Sequence, residues 1–122
     1  MPVSWRISKG IVWLESAEPV TFDEWKAAID AALSDKDYRA GMGILHDQRR
    51  LKHGPSIEEG KARVAFVASR RIRKWAVLAD SPDGYGMGRV GQALSDGTAT
   101  AIRAFRDPVE AETWLREPLP PG

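Results

Sequence analysis

Residues 86–91, with the sequence GMGRVG, match the G-x-G-x-x-G pattern of dinucleotide-binding proteins. In that pattern the glycines allow a tight turn from strand to helix, admit a pyrophosphate and let the helix pack closely on the sheet. Asp107 follows at roughly the spacing at which such proteins place a carboxylate on the ribose. These are the first residues whose types and spacing suit ligand binding.

Three features of the surrounding sequence argue against a nucleotide site. Residues 81–84 (SPDG) have turn chemistry and separate the preceding predicted strand from Gly86. The motif lies in the penultimate strand–helix unit, and the chain lacks a second mononucleotide-binding half. Asp107 precedes Pro108, which explains it as a helix N-cap. We therefore interpret the three glycines as small residues that let a helix lie close to the sheet.

Two histidines suit acid–base or metal chemistry. His46 and Asp47 end a predicted strand, and His53 follows seven residues after His46. Ligands of α/β proteins bind beyond the carboxyl ends of parallel strands, so His46, Asp47, Asp80 and Tyr85 form a candidate crevice for a small apolar or anionic ligand. The alternative is that His46, nearly within an apolar strand, is structural. No serine has a G-x-S-x-G setting and the chain has no cysteine, so no catalytic residue, cofactor or metal site is predicted.

The predicted second helix carries a stripe of four residues at helical spacing: Glu59, Arg63, Phe66 and Arg70. The core side of this helix is assigned to four apolar residues: Ile57, Val64, Ala65 and Ala68. This assignment places Phe66 on an outer face between arginines, which is typical of binding surfaces. The alternative is that Phe66 lies at the edge of the core.

Hydrophobic periodicity predicts the elements that position these residues. Residues 3–8 alternate between apolar and polar, and residues 11–16 follow a two-residue turn, which indicates a β-hairpin. Further strands are predicted at 41–47, 73–80 and 100–105. Helices are predicted at 22–34, from residue 57 to about 69, at 85–95 and after Asp107. The five tryptophans occupy periodic positions and are interpreted as packing residues.

This ββαβαβαβα order predicts one α/β domain. Alternating strands and helices favour a mixed, mostly parallel five-stranded sheet with an antiparallel N-terminal hairpin and four helices. The domain is expected to span residues 1–116, and residues 117–122 are expected to form a loose proline-rich tail.

The charge distribution is uneven although the net charge is only +1. Residues 39–76 carry ten basic and three acidic side chains, whereas the segments on either side are each net −3. Such a basic segment attracts anions or is simply a solvated face. No apolar run is long enough to span a bilayer and the N-terminus lacks the apolar core of a secretory signal. We therefore expect a cytoplasmic protein without a membrane span, and the net charge of +1 predicts no nucleic-acid partner.

The whole chain resembles a STAS domain, the family of bacterial anti-sigma factor antagonists and of cytoplasmic domains of sulfate transporters. The resemblance rests on the element order, a serine that opens the second helix, and three stretches: GILHD (43–47), YGMGRVGQAL (85–94) and AFRDPVEAETWL (104–115). It points to the stand-alone subgroup that is similar to the sporulation-type antagonist SpoIIAA. Some members of that subgroup are suspected of holding an apolar ligand.

The resemblance implies a non-enzymatic regulatory domain that binds another protein, such as an anti-sigma-like kinase or similar regulator, or a second copy of itself. In the antagonists a partner kinase phosphorylates a serine at the start of the second helix, and Ser56 is the matching residue. The predicted partner surface combines the 48–56 loop with the outer face of the second helix: Arg49, Ser56, Glu59, Arg63, Phe66 and Arg70. Ser56 also suits a simple N-cap, and this alternative stays open.

Overall fold

The computed structural model describes residues 3–17, 20–51 and 56–118. The elements in chain order are β1 Val3–Ser8, β2 Ile11–Ser16, α1 Phe22–Leu33, β3 Gly43–Asp47, α2 Ile57–Ser69, β4 Lys74–Leu78, α3 Pro82–Leu94, β5 Ala101–Phe105 and α4 Pro108–Arg116. The predicted ββαβαβαβα order is confirmed. His53 and residues 119–122 of the predicted tail lie outside the described residues. Within the described ranges, no helix combines the length and apolar character needed to cross a membrane.

The five strands form one mixed sheet in the order β1-β2-β3-β4-β5. β1 and β2 pair antiparallel, and every later pair is parallel, as predicted. Lys9 (φ 51°) and Gly10 (φ 79°) connect the hairpin, and two successive positive φ angles are the signature of a type I′ turn. This turn brings β1 antiparallel beside β2.

Strand order decides which helices share a face of the sheet. Each of the helices α1, α2 and α3 connects two neighbouring parallel strands, and right-handed crossovers in one direction place all three on the same face. α4 follows the last strand and packs on β3, β4 and β5 from the opposite side. We call these two sides the three-helix face and the one-helix face.

Each face has its own apolar core. On the three-helix face, Trp25 and Ile29 of α1 and Val67 of α2 pack on Ile44 and Trp75 of the sheet. The core of the one-helix face consists of seven buried residues: Ile11, Leu45, Ala76, Leu78, Phe105, Ala111 and Leu115. Because strand side chains alternate, consecutive residues such as Ile44 and Leu45 contribute to opposite cores.

Helix α3 begins three residues earlier than the predicted start at residue 85. Ser81 is the N-cap, with its Oγ accepting a hydrogen bond from the Gly84 amide at 2.9 Å, and Pro82 occupies the first helical turn. The predicted turn at residues 81–84 is therefore wrong, because Ser-Pro-Asp-Gly supplies the cap and first-turn proline of a helix as well as turn chemistry.

The glycines of the G-x-G-x-x-G motif lie within α3, and only some of them allow close packing. A Cβ on Gly88 would lie 2.9 Å from Ala104 Cβ and 3.3 Å from Val77 Cγ1, so this glycine lets α3 approach the sheet. A Cβ on Gly86 would meet no atom within 4 Å. The packing interpretation is confirmed for Gly88 and wrong for Gly86.

Candidate functional site

A cleft lies beneath α2 on the three-helix face. Its floor includes His46 of β3 and Trp75 of β4. One wall is formed by Arg63 of α2 and Trp25 of α1, and Gly88 lies on the α3 side. The cavity volume is about 60 Å³. Two aromatic rings of this cleft, Trp25 and Trp75, contact each other edge to face with centroids 5.7 Å apart. The cleft is therefore an aromatic-lined space near the carboxyl ends of the central strands.

His46 is fixed within this cleft by hydrogen bonds to both ring nitrogens. Gln48 Nε2 lies 3.1 Å from Nδ1, and Ser16 Oγ lies 2.6 Å from Nε2. The Gln48 amide donates to Nδ1, which leaves the ring proton on Nε2 to donate to Ser16 Oγ. Ser16 and His46 lie at corresponding ends of neighbouring strands β2 and β3, which brings residues thirty positions apart into contact.

Burial lowers the pKa of His46 to about 3, and the positive charge of Arg63 contributes in the same direction, whereas Asp47 opposes it. The imidazole is therefore neutral near pH 7. A base of this strength does not take a proton from a serine hydroxyl at that pH. Ser16 and His46 are also each only 1% exposed. The hydrogen bond between Ser16 and His46 therefore fixes the orientation of the imidazole ring in the cleft. The pair lacks the properties of a catalytic nucleophile and its base.

Arg63 turns into the cleft, although the sequence placed it on the outer stripe of α2. Its side chain is only 13% exposed, and its Cζ lies 4.9 Å from the centre of the Trp25 ring. Nη2 lies 3.8 Å from Oε1 of Glu59, a long contact for an ion pair. Burial lowers the pKa of Arg63. Among the described residues, neither Arg63 Nε nor Trp25 Nε1 has a hydrogen-bond partner, and both atoms are buried.

The predicted core side of α2 is corrected in two positions. Val64 and Val67 are the buried residues of the helix, whereas Ala65 is exposed and Ile57 is 56% exposed. Gly60, Val64 and Val67 follow helical spacing and face the cleft. Ala65 lies one residue off this stripe. Ile57 shares its spacing, but it is the first residue of the helix.

Phe66 and Arg70 connect α2 to α1. The Phe66 ring lies 5.7 Å from the Trp25 ring, and Arg70 Cζ lies 4.3 Å from the centre of the Phe66 ring. Arg70 also donates to Asp30 through Nε at 2.8 Å and Nη2 at 3.2 Å. The hydrogen bond from Arg70 lowers the pKa of Asp30. Phe66 therefore lies half-buried at the edge of the core, as the alternative interpretation has it.

The four residues of the predicted crevice do not share one cleft. His46 faces the cleft beneath α2, whereas Asp47 points to the other side of the sheet and pairs with Arg49 through Nε at 3.0 Å and Nη2 at 2.9 Å. Burial alone would raise the pKa of Asp47, but hydrogen bonds from Arg49 and its charge lower it. Asp80 is exposed, and Tyr85 lies beneath Arg106, whose Cζ is 4.4 Å from the ring centre.

Ser56 is the exposed N-cap of α2. Its Oγ accepts a hydrogen bond from the Glu59 amide at 3.1 Å. The hydroxyl therefore stands at the helix terminus, beside the exposed Ile57. In the described ranges, no group of three His, Asp or Glu residues is arranged to hold a metal ion.

No protein-family model matches the sequence, and no curated protein matches it. A solved structure is similar over 93% of this chain and 91% of its own length, with 15% sequence identity and a TM-score of 0.62. It is an uncharacterised protein of the DUF3478 family with a SpoIIAA-like fold, from Shewanella loihica PV-4. The chain has a SpoIIAA-like fold. The predicted SpoIIAA-like architecture is thus confirmed.

Several residues of this SpoIIAA-like domain's cleft were not singled out in the sequence. Trp25 and Trp75 were interpreted only as packing residues, and both are indeed buried. Ser16 and Gln48 carried no motif, although Ser16 ends one strand and His46 lies near the end of the next. Strand ends of neighbouring parallel strands meet at one edge of a sheet, and this is the signal that would have paired them.

Proposed function

We propose that this chain is a non-enzymatic regulatory domain that binds another protein through the start and outer side of α2. The partner is an anti-sigma-like kinase or a similar regulator, and Ser56 is the phosphoacceptor. The contact surface comprises the predicted residues that stay outside the cleft: Arg49, Ser56, Glu59, Phe66 and Arg70. Arg63, which the sequence assigned to the same surface, turns into the cleft and is only 13% exposed. Phe66 and Arg70 also hold α2 against α1, so they are less available to a partner. The most accessible part of the surface is therefore the first turn of α2.

The observation that carries this proposal is the exposed pair formed by Ser56 and Ile57. Ile57 is 56% exposed and, with Val109, is one of two exposed large apolar residues in the described part of the chain. An apolar side chain beside a polar cap offers a partner both buried area and a hydrogen bond. The likeness of fold and the matching serine position support the same surface.

Phosphorylation of Ser56 would act on this surface through charge. A phosphate there adds about −1.5 to −2 charges. The helix N-terminus attracts that charge, whereas Glu58 and Glu59 in the first turn repel it. The modification therefore makes the potential that a partner meets at Ser56 more negative, without requiring any movement of the core. We expect it to weaken binding of a partner that docks on Ile57.

The test compares Ser56→Asp with Ser56→Asn. Both substitutions preserve N-capping, so α2 stays folded, and they differ only in charge. Ile57→Glu tests the apolar contact, and Val109→Glu is its matched control because it makes the same change at the other exposed apolar residue. Each tagged protein is expressed in the host, crosslinked, purified and analysed by quantitative mass spectrometry.

We expect a partner that is recovered with the wild type, Ser56→Asn and Val109→Glu, and at least about tenfold less with Ser56→Asp and Ile57→Glu. Equal recovery with all five proteins would overturn the proposed surface. The accompanying measurement maps phosphate on Ser56 in the wild-type protein by mass spectrometry. Absence of phosphate from Ser56 under all growth conditions would overturn the proposed phosphorylation switch.

A further inference from the structure

The cleft beneath α2 contains two buried hydrogen-bond donors that the described part of the protein leaves without acceptors. Trp25 is 2% exposed, and its Nε1 is buried and unpartnered. Arg63 Nε is likewise buried and unpartnered, and Arg63 lies over the Trp25 ring at 4.9 Å. Buried polar groups in native proteins are almost always hydrogen-bonded, because an unmade bond costs about 1–3 kcal/mol. The two donors therefore indicate an acceptor that lies outside the described residues.

The charge of Arg63 specifies the kind of acceptor. Glu59 is the carboxylate in contact with it, at 3.8 Å, and Glu59 is itself partly exposed. None of the described residues that line the cleft is acidic, and the neutral His46 is held by Ser16 and Gln48. A largely buried cation is stable only when an anion or several hydrogen bonds compensate it. An anionic acceptor fits this requirement better than a neutral one.

The size and the remaining walls of the cleft limit the ligand. A cavity of about 60 Å³ has room for roughly four to six water-sized groups. Val64, Val67, Val77 and Ile102 supply apolar walls. These walls suit a short alkyl chain, whereas a long acyl chain exceeds the volume.

We propose that the cleft binds a short-chain monocarboxylate. Its carboxylate accepts hydrogen bonds from Arg63 Nε and Trp25 Nε1, and its alkyl chain packs on Val67, Val77 and Ile102. This site goes beyond the proposed partner surface, because it lies beneath α2 and not on its exposed first turn. The two proposals fail independently, since binding of a carboxylate is measured without any partner protein.

The test is a titration of the full chain with butyrate. Binding is monitored through the NMR signals of the Trp25 indole N–H and the Arg63 Nε–H. The neutral isostere butyramide and sodium chloride serve as controls. We expect saturable shifts of both signals with butyrate, with a Kd on the order of 1 mM, and no saturable shift with butyramide or chloride. Equal responses to all three additives, or no response to butyrate, would mean that the two donors do not select a carboxylate and would overturn the proposal.

Two substitutions assign the contacts. Arg63→Met keeps an unbranched apolar stem as far as the position of Nε and removes the guanidinium charge and donors. Trp25→Phe preserves an aromatic ring and removes Nε1. We expect Arg63→Met to weaken butyrate binding about tenfold or more, and Trp25→Phe several-fold. Arg70→Met is the matched control, because Arg70 lies on the same helix but binds Asp30 outside the cleft. If Arg70→Met weakens binding as much as Arg63→Met, the effect comes from general loss of positive charge and the assigned contact is wrong.

Discussion

Each face of the sheet buries a basic side chain, and the two side chains differ in their hydrogen-bond partners. On the one-helix face, Lys74 Nζ donates to the backbone oxygens of Trp114 and Glu117, both at 2.6 Å, at the carboxyl end of α4. On the three-helix face, Arg63 contacts Glu59 at 3.8 Å, and its Nε has no partner among the described residues. Burial lowers the pKa of both groups.

This difference separates a structural cation from one that is suited to binding. Lys74 completes the last turn of α4, where free carbonyl groups and the helix dipole favour a positive charge. Arg63 stabilises no helix end and leaves a donor in a cleft. The one-helix face thus satisfies its buried cation with backbone oxygens of the protein, whereas the three-helix face leaves hydrogen-bond donors unsatisfied among the described residues. The following predictions test this contrast, beginning with the largest expected effect.

Replacement of each buried cation by methionine is the most direct test. We expect Lys74→Met to lower the free energy of unfolding by about 2–3 kcal/mol, because two charge-assisted hydrogen bonds to α4 are lost. We expect Arg63→Met to change it by less than about 1 kcal/mol, because the substitution also removes a poorly compensated buried charge. Urea denaturation of both variants measures the difference. Equal losses would mean that Arg63 is as structural as Lys74.

These contrasts mark the limit of what the sequence could predict. Periodicity and capping residues predicted every strand and helix, because each pattern is local to its element. The start of α3 was missed because Ser81 and Pro82 suit a turn and a helix start equally. The inward turn of Arg63 was missed because it depends on how α2 packs beside α1 and α3. The orphan donors of Trp25 and Arg63 cannot be recognised until all their neighbours are placed.

The pH dependence of the free energy of unfolding tests the other buried ionisable group of the cleft, His46. His46 has a pKa of about 3 in the folded protein against an ordinary value of 6.5. Between these values the unfolded chain binds a proton that the folded protein does not, so stability falls as pH decreases from 6.5 towards 3. At pH 5 we expect a loss of about 2 kcal/mol relative to pH 7. Urea denaturation at several pH values measures it.

A matched background isolates the contribution of His46. His53, the only other histidine of the chain, is changed to Gln in all proteins. His46 is then the single imidazole that takes up a proton in the unfolded chain between pH 7 and 5. Asp30 and Asp47 have pKa values lowered from an ordinary 3.8, so they act only at lower pH. In Arg63→Met the loss should be smaller, because the arginine no longer opposes a charge on His46. An unchanged slope after His46→Asn would contradict the assignment.

The smallest effect concerns how closely α3 lies on the sheet, and here two neighbouring glycines should respond in opposite directions. Gly88→Ala inserts a methyl group 2.9 Å from Ala104 Cβ, a contact between short side chains on a packed helix and strand. The strain exceeds the gain in helix propensity, so we expect a net loss of about 1 kcal/mol. Gly86→Ala faces open space and should gain up to about 1 kcal/mol from propensity alone.

The same pair of variants also tests the ligand proposal. Gly88 lines the cleft and Gly86 does not. If the cleft holds a carboxylate, Gly88→Ala should weaken butyrate binding several-fold by narrowing the space beside Met87, whereas Gly86→Ala should leave binding unchanged. A loss of stability in Gly88→Ala without any change in butyrate binding would place the ligand away from α3. Gly88 would then serve helix packing alone, and the contrast between the two faces would rest on Arg63 and Trp25 by themselves.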